Sequence, residues 1–354
     1  MDKNPLSEDL EHVLEHTLPL WAELKAERLF ITGGTGFFGS WLLESLTWAV
    51  DRLGLNTQAV VLTRDPGAFQ RKAPHLADHA AVTLWPGDVR SFEFPAGRFS
   101  HVIHAATEAS ARLNAENPAL MLDTIVEGTR RTLEFARRCE AANFLFTSSG
   151  AVYGPQPPEM THIPEDYPGG PDPTQPGSAY GEGKRMAELL CTLYSNAFGI
   201  QTRIARCFAF VGPYLPLDSH FAIGNFIRDG LNGGPIMIQG DGTPNRSYLY
   251  AADLAIWLWT ILAKGRSNYP YNVGSERMLT IREIAQLVAD HFERTSVIVS
   301  QSPSLNANPA RYVPWTHRSR SELGLTEKIH LEMAVQKTIQ WHLKIMPLAA
   351  ENLG

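Results

Sequence analysis

Residues Leu29–Leu46 read LFITGGTGFFGSWLLESL: a short apolar run, three glycines (Gly33, Gly36 and Gly39) at even spacing, then a run of helical character. A strand, a glycine turn and a helix in that order are the context that a dinucleotide fingerprint needs. One glycine permits the tight turn, one lets backbone N–H groups approach the phosphates, and one lets helix and strand pack closely. Phe37 and Phe38 lie between the last two glycines and are expected to face the same ligand. The spacing is G-x-x-G-x-x-G rather than G-x-G-x-x-G, so the turn alone specifies a phosphate site and leaves its use open.

Downstream of the turn, short β-type runs alternate with longer helical patterns: AVVLT, VTLWPGD, HVIHAA, a helix over about 118–139, FLFTSS, a helix from about 179, and RIARCFAF. Such alternation predicts an α/β fold, a Rossmann-type doubly wound parallel sheet with helices on both faces. Past Val211 the texture changes to helices mixed with isolated strands, which predicts a smaller C-terminal α+β substrate lobe. The expected division is a helical N-terminal extension over 1–27, a dinucleotide-binding domain over 28–210, a substrate lobe over 211–345 with segments returning to the sheet, and a tail over 346–354. The Pro- and Gly-rich segment from Tyr153 to Tyr180 is too long for a mere connector and is expected to cover a site.

The strand ends supply further candidates. Thr63 stands where a side chain would read the adenosine ribose, and Arg64 follows it; a guanidinium there suits a 2′-phosphate and favours NADP, while Asp65 keeps NAD open. Asp88 in GDVR is a candidate acceptor for the adenine amino group, with Val89 beside it. Ala105, Ala106 and Thr107 in HAAT are small enough for backbone to pass close to a cofactor, whereas His104 is expected to be packed.

The chain has 354 residues, 44% of them hydrophobic, and a net charge of −6. That is enough apolar material for a large core, and no basic footprint points to nucleic acid. Cys139, Cys191 and Cys207 are scattered without C-x-x-C spacing, which argues against a disulfide framework and a metal site and fits a reducing compartment. The polar, acidic N-terminus does not resemble a secretory signal, and the longest apolar run, LAIWLWTIL, is half a membrane span and reads as a buried helix. The cytoplasm is the expected location.

SAYGEGKRMAE places Tyr180 and Lys184 four residues apart on one helical face, so both reach a single point. A tyrosine titrates near ~10 unaided, but an adjacent ammonium and a nicotinamide charge favour the phenolate and make it usable as a base. Ser149, ending FLFTSS, would hydrogen-bond the same substrate oxygen.

TGGTGFFG, GDVR, HAAT, TSSGAVYG, YGEGK, RCFAFVGP, GDGTPNRSYLYAADLA and YNVGSE occur in an order and spacing that resembles the extended short-chain dehydrogenases/reductases, the nucleotide-sugar epimerase/dehydratase group, from Leu29 to about Trp341. The resemblance implies an NAD(P)-binding domain with Cys207 among its cofactor-side residues and a lobe for a nucleoside-diphosphate sugar. It assigns Tyr180 as base, Lys184 to the nicotinamide ribose, Ser149 as hydroxyl partner, and Arg246 to the diphosphate. A homodimer through paired helices follows from the same resemblance.

The chain departs from the pattern at informative places. The sugar 4,6-dehydratases of the group carry an Asp-Glu pair after the active-site hydroxyl, and the decarboxylases a glutamate in that segment; here stand Gly150 and Ala151, which cannot do acid–base work. What remains is hydride chemistry: 4-epimerisation through a transient 4-keto sugar or, as the alternative, NADPH-dependent reduction of a keto sugar. Ala209 stands where the family places a substrate-contacting asparagine. Phe221 and Ala222 replace a common Asn-Leu pair, leaving His220 as a replacement ligand.

Overall fold

The structure is a computed structural model that describes residues 4–107, 111–219, 221–303 and 308–351, with side chains described to residue 344. Six parallel strands are laid down in order: β1 (Arg28–Thr32), β2 (Gln58–Thr63), β3 (Val82–Pro86), β4 (His101–His104), β5 (Asn143–Ser149) and β6 (Gln201–Cys207). A seventh, Pro270–Val273, pairs in parallel with β6, giving the sheet order Pro270–Val273, β6, β5, β4, β1, β2, β3. From β1 the chain winds outward through β2 and β3, then returns to place β4 on the other side of β1. That reversal opens a crevice beyond the carboxyl ends of β1 and β4, where ligands bind in such sheets.

Strands covered on both faces read as continuous apolar runs, and Leu29 to Thr32 of β1 are all buried. Helix α1 (Ser7–Trp21) and helix α2 (Phe37–Leu53) pack on the helix Ala251–Lys264, in which every residue from Ala251 to Leu262 is buried. The apolar run LAIWLWTIL is therefore a core helix. Trp259 donates from Nε1 to Ser45 Oγ at 2.8 Å and lies 5.0 Å between ring centroids from Trp21. The N-terminal residues are thus an integral layer: Tyr250 donates to Asp9 at 2.7 Å, and Lys337 pairs with the same carboxylate at 3.0 Å. Among the described residues no helix is long and apolar enough to cross a membrane.

The seventh strand and the helix Ala251–Lys264 come from the segment where the sequence suggested mainly a second lobe. The strand joins the main sheet and the helix packs against it, and their burial fits elements covered by that sheet and its helices. The remaining strands are short. Asn245–Arg246 pairs with Leu279–Thr280 and with Arg311–Tyr312, Phe210–Val211 with Leu249–Tyr250, and Ile236–Ile238 with Val297–Val299.

Candidate active site

The glycine turn connects β1 to α2, which begins at Phe37. Its N-cap, Gly36, makes no side-chain hydrogen bond, and no acid lies in the first turn, so the N–H groups there are left for an anion. Gly33 has φ +71°, and a Cβ on it would stand 2.5 Å from the Ala105 carbonyl carbon and 2.6 Å from Ala106 N. A Cβ on Gly39 would lie 2.3 Å from Gly33 O and from Gly34 Cα, whereas at Gly36 the nearest atom is 3.4 Å away. Gly33 therefore lets two strand ends meet, Gly39 closes helix on turn, and Gly36 faces the cleft. The donor set and the close backbone fit a dinucleotide pyrophosphate. Gly39→Ala is expected to abolish dinucleotide binding measured by titration calorimetry, since the added methyl overlaps backbone that cannot move aside.

A cleft of about 880 Å³ runs from this turn to the small three-stranded sheet. It brings together many of the residues singled out above: Gly33, Gly36, Phe37, Phe38, Ala105, Thr107, Ser149, Ala151, Tyr180, Lys184, Cys207, Ala209, Phe221 and Arg246 all line it. Gly39, Thr63, Arg64, Asp88, Val89, Ala106 and Gly150 do not. His220 lies outside the described residues.

The residues off the cleft have identifiable employment. Thr63 is buried at the end of β2 and its hydroxyl accepts the Asp65 N–H at 3.4 Å. Asp65 caps the helix α3 (Pro66–Lys72), accepting from Ala68 N at 2.9 Å, so its carboxylate is committed to the backbone. Asp88 holds Arg90 in a two-point ion pair, which lowers its pKa, and Arg64 lies near enough to add to that lowering. Val89 packs against Gly128 of the helix Pro118–Arg138, and Ala106 N donates to Thr32 Oγ1 at 3.2 Å. His104 is buried between Thr32 and Thr129, and burial drives its pKa down to about 3. It is a neutral packing group.

The helix Ala179–Phe198 carries Tyr180 and Lys184. Its start is fixed from outside by Asn114, whose side-chain oxygen accepts the Tyr180 N–H at 3.1 Å and whose amide donates to Gly177 O at 2.8 Å. Lys184, 2% exposed, donates to Thr107 Oγ1 at 2.7 Å and to Thr147 O at 2.8 Å, and lies 5.9 Å from the Tyr180 ring centroid. Burial draws its pKa down to about 8. Burial also raises the Tyr180 phenol, and a hydrogen bond from Ser149 pulls it back. Cys207, at the end of β6, is a free buried thiol that burial raises to about 12.

Four features carry no sequence expectation. Tyr312 places its hydroxyl 3.4 Å from Ser149 Oγ. Asn114 steadies the start of the helix that carries Tyr180. Tyr248 and Phe208 line the cleft. Behind Ser149, Ser148 donates to Glu188 at 2.5 Å, and Arg206 grips Glu188 at two points, 3.0 and 2.8 Å, while reaching Tyr153 Oη and Glu165 O. Glu188 sits four residues after Lys184 on the same helical face, the one local signal that could have marked it.

The segment 154–178 forms part of the cleft wall through Gly154, Pro171, Gly177 and Ser178. It is tied down where Ile163 N donates to Val313 O at 3.0 Å and Trp315 N to Ile163 O at 2.9 Å. Among the described residues, no three His, Cys, Asp or Glu side chains gather as a metal would require.

Comparison with known proteins places this architecture. The family described as the NAD dependent epimerase/dehydratase family matches residues 29–274. UDP-glucuronic acid decarboxylase 1 of Danio rerio is 30% identical over 336 residues, covering 94% of this chain and 76% of its own. UDP-glucuronic acid decarboxylase 6 of Arabidopsis thaliana is 31% identical over 307 residues, 86% and 85% respectively. A UDP-N-acetylglucosamine 4-epimerase from Methanobrevibacter ruminantium M1, in complex with UDP-N-acetylmuramic acid, has the same fold with a TM-score of 0.79 at 20% identity, over 91% of this chain and 100% of that one. DesIV, a dTDP-glucose 4,6-dehydratase from Streptomyces venezuelae solved with NAD and TYD bound, gives 0.77 at 24% identity over 91% and 98%. The glycine turn at the switch of a parallel sheet, the Tyr180–Lys184 helix beside it and a match spanning most of the chain agree: the chain belongs to the NAD dependent epimerase/dehydratase family.

Proposed function

We propose that this protein is a NAD(P)-dependent nucleotide-sugar epimerase acting at sugar C4 through a transient 4-keto intermediate. The observation that carries this reading is the end of β5. Gly150 and Ala151 offer no titratable group, and the space beside Gly150 is filled by Phe208 and Tyr312. Without an acid and base there, elimination of water has no proton donor on that strand. Ser149, Tyr180 and Lys184 are retained and share one cleft.

In this reading Tyr180 takes the proton from the sugar 4-hydroxyl and returns it, Ser149 hydrogen-bonds the same oxygen, and Lys184 supplies positive charge. Arg246, from the strand Asn245–Arg246, meets the diphosphate as a fork of donors. Gly33, Gly36, Phe37, Phe38, Ala105 and Thr107 would hold the dinucleotide, which when bound would supply reversible hydride transfer at the sugar carbon. Arg64 favours NADP, since a guanidinium suits a 2′-phosphate. We also assign a homodimer through the helices Pro118–Arg138 and Ala179–Phe198, supported by the exposure of Met186, Leu189 and Leu193 at 46%, 50% and 53%.

A second reading draws on the relatives named UDP-glucuronic acid decarboxylase. A 4-keto sugar bearing a C6 carboxylate is a β-keto acid and loses carbon dioxide readily, leaving an enolate that some group must protonate. A third, net reduction of a keto sugar, draws on Arg64. The readings separate in one assay, following UDP-glucose and UDP-glucuronic acid by NMR and mass spectrometry. Interconversion of epimers at constant mass supports the first. Loss of carbon dioxide from UDP-glucuronic acid selects the second. Stoichiometric consumption of NADPH with a 4-keto sugar selects the third.

A further inference from the structure

Three hydroxyls meet at the end of β5. Ser149 Oγ accepts the Ala151 N–H at 3.1 Å and lies 3.4 Å from Tyr312 Oη. It shares the cleft with Tyr180, whose phenol it holds down against the upward push of burial. Tyr312 arrives from far along the chain, on the strand Arg311–Tyr312, where it is in register with Arg246. Its ring lies 4.7 Å between centroids from Phe208. A Cβ on Gly150 would stand 2.7 Å from the Phe208 ring and 2.8 Å from Tyr312 Oη. The phenol of Tyr312 therefore occupies the space a side chain at position 150 would need, which is where the group's dehydratases carry an acid.

A serine hydroxyl has one proton and two lone pairs. One lone pair of Ser149 is taken by the Ala151 N–H. When Tyr180 is ionised and no sugar is bound, its oxygen is the strongest acceptor within reach, so in the free protein the Ser149 proton turns to it, and passes to the sugar 4-oxygen when that arrives. The second lone pair is left for the Tyr312 O–H. We propose that Tyr312 is the donor end of a three-hydroxyl relay, Tyr312 to Ser149 to Tyr180, that stabilises the Tyr180 phenolate. This assignment, which rests on Tyr180 being the base, makes Tyr312 a positioning residue that acts through Ser149. The protons balance without an outside donor: Tyr312 keeps its proton in the hydrogen bond, and Tyr180 alone gains and loses the substrate proton.

The surrounding charges decide which phenol ionises. Lys184 lies by the Tyr180 ring, with Glu188 and Cys191 facing it in turn. Cys207 faces both phenols and stays a neutral thiol below about 12. Arg246 faces Tyr312, but burial and the nearness of Tyr180 raise Tyr312 further than Ser149 and Arg246 lower it. Tyr180 ionises first, and Tyr312 remains a donor.

The test is Tyr312→Phe, which keeps the ring on Phe208 and removes only the hydroxyl. With the nucleotide sugar that wild-type protein turns over, the acid limb of the kcat/KM profile is expected to move about one pH unit higher, the scale of one neutral hydrogen bond. Turnover at neutral pH is expected to fall roughly tenfold in consequence. The near-ultraviolet phenolate absorbance lost on Tyr180→Phe should shift by the same amount, a readout independent of turnover. Ser149→Ala cuts the relay in the middle, so its shift should be at least as large, and adding Tyr312→Phe to it should move nothing more. A folded Tyr312→Phe protein with an unmoved acid limb and unmoved phenolate band, alongside an inactive Tyr180→Phe, overturns the relay alone. Turnover that survives Tyr180→Phe overturns the base assignment and the relay with it.

Discussion

Tyr180→Phe is expected to lower turnover by about a thousandfold or more while leaving dinucleotide affinity within a few-fold of the wild-type value. The hydroxyl lost is the only group of Tyr180 that can exchange a proton, while the ring that packs in the cleft is kept. Lys184 is held by Thr107 and Thr147 rather than by Tyr180, so its place beside the glycine turn survives the change. The pH dependence gives a second arm. An ammonium by the phenol favours the phenolate and so lowers the pH at which the base becomes active. Lys184→Met removes that charge, and the acid limb of activity is expected to move to higher pH. Steady-state kinetics across pH, with dinucleotide binding measured separately, check both. Turnover unchanged in Tyr180→Phe would exclude the phenol as base.

The largest expected loss of stability belongs to Arg206→Leu. Arg206 and Glu188 are 14% and 12% exposed at their side chains and meet at two points. Leucine leaves the Glu188 carboxylate buried with Ser148 as its remaining neutral partner. Breaking a buried pair from one side costs about 3–5 kcal/mol, because the orphaned charge keeps its desolvation penalty. The same arginine holds Tyr153 and the carbonyl of Glu165, so the cleft wall loosens as well. Denaturant unfolding should show the loss. Replacing both partners with apolar residues of similar volume should recover much of it, since no unpaired charge then remains. If the single and double variants are equally destabilised, the pair contributes through packing and not through charge.

How much of this was legible in the sequence follows from the range over which each signal acts. The glycine turn is local: strand, turn and helix follow one another without a break from Arg28 to Leu53, and the three glycines meet backbone that a Cβ would strike or face the open cleft. Tyr180 and Lys184 were legible for the same reason, being one helical turn apart. The ends of β2 and β3 were harder. Thr63, Arg64 and Asp88 were chosen by position along the chain, but Asp65 caps α3 and Asp88 pairs with Arg90, local demands that position alone does not reveal. Tyr312 was invisible because a two-residue strand has no periodicity and its partner hydroxyl lies 163 residues away. The helix Ala251–Lys264 was recognised as buried, yet nothing in its pattern said against what. Burial identifies an apolar face and leaves its partner to the tertiary fold.

The seventh strand has a consequence for how the chain is made. Pro270 to Val273 pair with Ile204 to Cys207, and until they emerge from the ribosome β6 is an open edge. The helix Ala251–Lys264, on which α1 and α2 rest, is also late in synthesis. A nascent chain stopped after Ser149, Tyr180 and Lys184 thus carries the glycine turn and these three cleft residues, but neither the strand that completes the sheet nor the helix that packs on it. Such a fragment exposes a template for pairing with other chains. The main sheet is not complete until residue 273 is made, so its folding is expected to be coupled to that of the later segments in one late step.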